Sequence, residues 1–183
     1  METKARQDDD LGWSFIRDTF LSNAVRDSIV SRGGRSVYRK NKTEDQAAIL
    51  RSILRNQLNT IAVNYESVVD EQQHINNIEE LIRCLSVNCR EFLNEGRATF
   101  GFAQKALNSY LKYLWCVSRI PRPPHCPFDT IILGLVNPPA DCERRWTYGE
   151  KDDYIKWVTA AKLKANGEAL SDWELREWGQ RVN

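Results

Sequence analysis

The sequence contains no apolar run approaching the roughly 20 residues that carry a helix across a bilayer, which excludes a membrane span of that kind. Its opening stretch, METKARQDDDLGW, lacks the apolar segment of a secretory signal, so a cytosolic (cytoplasmic) chain is expected. An excess of one charge is also missing. There are 26 basic residues against 25 acidic, a net charge of +1, so no global field draws the protein to nucleic acid or anionic lipid. Any electrostatic function must therefore be local. Cysteine occurs five times, an odd number without disulfide-framework spacing, and buried free thiols are its expected use. No Cys-x2-Cys knuckle is present. In the set Cys116, His125, Cys126 and Cys142, two chain neighbours would have to turn onto one ion, so no metal and no cofactor is expected. A Walker-type phosphate loop, Gly-x-Ser-x-Gly, His-Glu-x-x-His and the dinucleotide fingerprint are all absent.

Glycine (9) and proline (6) are sparse and gathered at a few places, leaving long helix-permissive segments between them. No sustained alternation of apolar and polar residues marks a strand. The reading is all-α: one domain over 1–183, a multi-helix bundle, with residues 1–10 as a disordered tail. The periodicity of Trp13, Ile16, Phe20 and Ala24 predicts a helix over 13–30, stopped by Gly33-Gly34. A capping box, Thr43 with Gln46, opens the next helix. A third runs over 70–93 on the seam Ile75, Ile78, Ile82, Leu85, Cys89 and Phe92. Together, residues 43–93 are expected as a long helical hairpin turning near Ser67–Asp70, with one continuous rod as the alternative. The segment 97–118 is apolar around most of its circumference and is expected at the centre of the bundle. Short and longer helices over 129–136 and 149–165 follow, the latter stopped by Asn166-Gly167. A second capping box, Ser171 with Glu174, is expected to open the last.

The stretch RIPRPPHCPFD (119–129) combines four prolines with one of the chain's two histidines. The prolines end the central helix and force an extended crossing, and Asp129 is placed to cap the helix that follows. His125 and Cys126 are not explained by that turn. One reading makes His125 an acid or base oriented by Asp129, with Arg122 stabilising negative charge, in a nuclease or transferase. The spacing of Arg119 and His125 resembles that of the arginine and histidine of the HEPN ribonucleases, which are also small helical proteins. In that family the pair sits on a helix; three prolines stand between the two residues here, and no activity is carried over from the spacing.

Local charge is more informative. Five basic residues and no acid lie in 32–42, and five more, Arg97, Lys105, Lys112, Arg119 and Arg122, lie in 96–128, again without an acid. Residues 66–95 carry seven acids against two arginines, so the acidic third helix is one candidate for neutralising the basic segments. The rival is an anion site. Gln104, Lys105, Asn108 and Lys112 form a polar stripe on the central helix, facing either water or a cleft. Arg32, Arg35, Tyr38, Arg39 and Lys40 interleave cations with an aromatic ring, as phosphate tracking with base stacking requires. The leading expectation is a module binding an anionic partner, nucleic acid or a phosphorylated ligand, through these residues. The alternatives are the enzyme centred on His125 and a protein-interaction or homo-oligomerisation module using the helices of 43–93 or Trp173 and Trp178.

Overall fold

The structure, a computed structural model, describes residues 2–30 and 36–182, with residues 2–10, 181 and 182 as backbone only. Among the described residues the chain is all-α: seven α-helices and no strand. The first, α1 (Glu2–Ile29), begins well before Trp13, so most of the segment expected as a disordered tail continues this helix. The Gly33-Gly34 stop lies outside the described residues.

The capping box that opens α2 (Glu44–Ala62) forms as expected, with Thr43 Oγ1 accepting from Gln46 N (3.2 Å) and Gln46 Oε1 accepting from Thr43 N (2.9 Å). A 3₁₀ turn over Val63–Glu66 and an extended Ser67 then reverse the chain into α3 (Glu71–Asn88). The break needs neither glycine nor proline, because Asp70 and Gln73 form a capping box that starts a new helix. The hairpin is thus the correct reading of 43–93. Its seams close internally, with Leu50, Leu54 and Leu58 on α2 and Ile78, Leu81 and Leu85 on α3 at 0% exposure.

The third helix ends at Asn88, short of the expected Leu93. The N–H groups of Phe92 and Leu93 donate hydrogen bonds back to Cys89 O, and the turn meets residues 37–39: Arg39 N donates to Phe92 O (3.0 Å) and Asn94 N to Val37 O (2.9 Å). This tertiary pairing ends the helix where its own periodicity would have continued it.

At the centre lies α4 (Phe100–Cys116), capped by Thr99 and packed against α1, α2 and α3. Next come α5 (Thr130–Val136), capped by Asp129 as expected, and α6 (Lys151–Ala165), which ends at Asn166 and Gly167 with φ of 49° and 90°. The last helix, α7 (Leu170–Val182), starts one residue before Ser171, so the expected Ser171–Glu174 capping box does not form. The Ser171 hydroxyl instead lies 2.8 Å from Pro123 O and 3.3 Å from His125 O, pinning the proline corner. Trp173 is buried in the core and Trp178 is 40% exposed.

Candidate functional site

After α4, Ser118 adopts a left-handed conformation (φ 57°) and residues 119–129 return alongside the helix that they follow. This extended segment has main-chain groups that need partners in a dry place. The polar stripe supplies them. Gln104 Nε2 donates to Phe128 O (2.7 Å) while its Oε1 accepts from Phe128 N (3.1 Å), and Asn108 Nδ2 donates to Cys126 O (3.0 Å). Gln104 and Asn108 are 0% exposed. They face neither water nor a cleft, and their assignment as ligand-binding residues is corrected: they stand in for a neighbouring strand. Gln104→Ala should lower stability by about 3 kcal/mol, because two buried backbone groups each lose a partner at roughly 1–3 kcal/mol. Urea denaturation measures this, and a loss below about 1 kcal/mol would contradict the account.

His125 is 1% exposed and meets the chain's other histidine, His74, with ring centroids 4.8 Å apart. The two rings are joined through tyrosine hydroxyls. The Tyr65 hydroxyl lies 2.7 Å from His74 Nδ1, and the Tyr154 hydroxyl lies 3.3 Å from His74 Nε2 and 2.8 Å from His125 Nδ1, while Asn108 Nδ2 donates to the Tyr154 oxygen (3.2 Å). His125 Nε2 has no hydrogen-bond partner among the described residues and lies 3.8 Å from Glu71 Oε2. Burial, then the nearby Lys162 charge, pushes the His125 pKa down to about 3, and burial holds His74 well below its ordinary value.

The three residues of the enzyme reading are not brought together. Asp129 Oδ1 accepts from the amides of Ile131 and Ile132 and its Oδ2 from Lys105 Nζ, while Arg122 pairs with Asp172 at 3.0 Å. His125, Asp129 and Arg122 therefore make no catalytic constellation, because each is held by a different partner and the imidazole is closed to a substrate.

The expected basic loop is similarly dispersed. Arg32 and Arg35 lie outside the described residues. Tyr38 is buried, with its hydroxyl directed to Ala47 O, so its ring offers no stacking surface. Arg39 Nε donates to Leu93 O (3.0 Å), and Lys40 is exposed.

The cations of 97–122 are mostly matched one by one, but not by the acidic α3. Arg97 pairs with Glu150, Lys105 with Asp129, Lys112 with Glu174 and Arg122 with Asp172, all carboxylates from later in the chain. Of the acids of α3, Glu71 pairs with Lys162 and Glu79 with Lys151 on α6, while Glu80 pairs with Arg83 on its own helix. Within this basic run, Arg119 forms no ion pair with a described carboxylate; its guanidinium lies 4.3 Å from the centre of the Trp13 ring.

Arg119 borders a pocket of 320 Å³ at the junction of α1, α2 and α4. Across it stands Arg17, also without an ion pair to a described carboxylate, whose Nε is buried and has no hydrogen-bond partner among the described residues. Tyr110 donates to Asn59 Oδ1 (2.8 Å) on the same wall, and Glu66 is the one acid among the described lining residues. A shallower pocket continues from Arg119 and Ile120 to Trp115 and Arg122. Arg17 stands beside Asp18 in α1 and carries no motif, so nothing local in the sequence singles it out. The available signal was Arg119, a cation in an acid-free segment.

The site therefore defines a helical-bundle protein with an arginine-lined pocket. The chain matches no family model, no curated protein and no solved structure.

Proposed function

We propose that the protein is an anion-binding module that takes a phosphate-bearing ligand between Arg17 and Arg119. The observation that carries this reading is the contrast in charge pairing. Four of the five cations in 96–128 have a carboxylate partner, whereas the two guanidinium groups of this pocket have none among the described residues. A guanidinium presents planar N–H donors whose geometry matches phosphate oxygens, and a buried donor without a partner costs roughly 1–3 kcal/mol until something accepts from it. A phosphate between the two arginines supplies that acceptor. The Trp13 ring and the Asn59 amide lend the same pocket an apolar wall and further polar groups.

The test is calorimetric titration with pyrophosphate and AMP at low ionic strength. Binding is expected to weaken as salt rises, since these charges are partly solvent-exposed. Arg17→Ala and Arg119→Ala should each reduce affinity by ~10–100-fold, the worth of one charge-assisted hydrogen bond. Lys40→Ala should leave it unchanged. Absence of binding by either probe, or undiminished binding in both arginine variants, would refute the reading.

A further inference from the structure

A separate pocket of 260 Å³ opens between α1, α4 and α7. Lys105, Ser109 and Lys112, at helical spacing on α4, form one wall, with Asp129 and Glu174 opposite the lysines, Trp178 beside Lys112 and Asp27 at the α1 edge. Lys105 Nζ lies 2.8 Å from Asp129 Oδ2, and Lys112 Nζ lies 2.8 Å and 2.6 Å from the two Glu174 oxygens. These side chains are only 12%, 20%, 18% and 4% exposed, for Lys105, Asp129, Lys112 and Glu174 in turn. Withdrawing two ion pairs from water is often less stabilising than packing apolar groups in the same volume, so stability alone does not account for them. They have moreover been placed around open space.

We propose that this pocket is a second ligand site, for a small zwitterion whose carboxylate and ammonium are joined by a short aliphatic linker. The arrangement of charge selects that class. A simple anion entering the pocket meets Asp27, Asp129 and Glu174, and a simple cation meets Lys105 and Lys112. A molecule carrying both charges exchanges partners with the resident pairs: its carboxylate accepts from Lys112 while its ammonium donates to Asp129 or Asp27. Burial pushes the pKa of the Glu174 carboxyl upward, which eases its release from Lys112. The two lysines are seven residues apart, about 10 Å along the helix axis, which sets the span available to the ligand. A volume just below the roughly 300–1,000 Å³ of drug-sized sites suits a metabolite of amino-acid size, with the Trp178 ring and the aliphatic part of Lys112 against its linker.

The full chain should be titrated calorimetrically with 5-aminopentanoate, and with pentylamine and pentanoate as single-charge controls of the same length. The zwitterion is expected to bind at least about tenfold more tightly than either control and to perturb Trp178 fluorescence. Lys112→Met and, independently, Ser109→Leu, which fills the pocket, should each remove binding by about tenfold or more. Circular dichroism will establish that each variant is folded, and the second stands in if the first is not. Arg17→Ala should bind the zwitterion normally, so failure here and failure of the phosphate site are distinguishable. The proposal is overturned if 5-aminopentanoate does not bind at about 10 mM, if pentylamine or pentanoate binds equally well, or if a folded variant of either kind retains full affinity.

Discussion

Alanine at position 101 is expected to destabilise the protein by about 4 kcal/mol or more, a large share of the roughly 5–15 kcal/mol that holds a domain together. Gly101 lies in the first turn of α4, where the chain around Trp146 crosses the helix in backbone contact. A Cβ there would stand 1.6 Å from Trp146 O and 2.7 Å from Trp146 C. Neither atom belongs to a flexible side chain, so relief requires the crossing segment to move away. That movement would break the bonds that seat it, Gly101 N to Gly149 O at 2.9 Å and Thr99 Oγ1 to Thr147 O at 3.3 Å. It would also disturb Gly149, whose own missing Cβ makes room for the Trp157 ring. The contrast is internal to the chain. Gly134 is also helical, but a Cβ there meets nothing within 4 Å, so Gly134→Ala should raise stability by about 0.5–1 kcal/mol through helix propensity alone. Urea unfolding of both variants tests the pair. A Gly101→Ala protein as stable as the parent would show that the crossing does not hold α4 closely.

Stability should fall steeply with acid, through the two buried histidines. His125 and His74 are neutral in the fold because burial disfavours their charged forms, with a pKa of about 3 for His125 and a value well below ordinary for His74. In the unfolded chain both titrate near about 6.5. Below that pH the unfolded state takes up protons that the folded state refuses, so stability is complete above about pH 6.5 and is lost as pH falls toward the folded values. His125 alone contributes a slope approaching about 1.4 kcal/mol per pH unit between roughly pH 6 and 4, and His74 adds to it in the same direction. The charges nearby do little to relieve this. Glu71 lies 3.8 Å from His125 Nε2 but is paired with Lys162, whose charge itself opposes protonation of His125. Glu174 works in the opposite direction, since its folded pKa is raised, but it is one group against two. Urea midpoints measured across this pH range give the slope, and imidazole NMR shifts give the cause. A histidine in the folded protein that titrates near 6.5 would contradict it.

What is legible along the chain is set by how far each interaction reaches. Thr43 with Gln46, Asp129, and Asn166 with Gly167 act within a few residues of themselves, and each begins or ends a helix where local chemistry places it. Ser171 has the same local signature as Thr43, yet its hydroxyl is taken by Pro123 and His125 carbonyls. The competing partner lies 46–48 residues away in sequence, and no window on the sequence contains both. The stripe Gln104, Lys105, Asn108 and Lys112 shows the same division within one helix. Its spacing places the four on neighbouring positions, but packing of the proline corner buries the two amides and leaves the two lysines at a pocket wall.

By itself, the sequence determined the class of fold, the order of the helices and the central place of the most apolar segment, while the choice between hairpin and rod over 43–93 was made by the structure. Those features follow from periodicity and capping, which act over one or two turns of helix. Tertiary structure alone decided that Gly101 is a point of backbone contact, that His125 and His74 share one hydroxyl, and which cations are neutralised. Charge pairing depends on distances of a few ångströms between groups that lie up to 91 residues apart, as Glu71 and Lys162 do. Arg17 and Arg119 acquire their place at the candidate site in the same way, by the packing of α1 against α4.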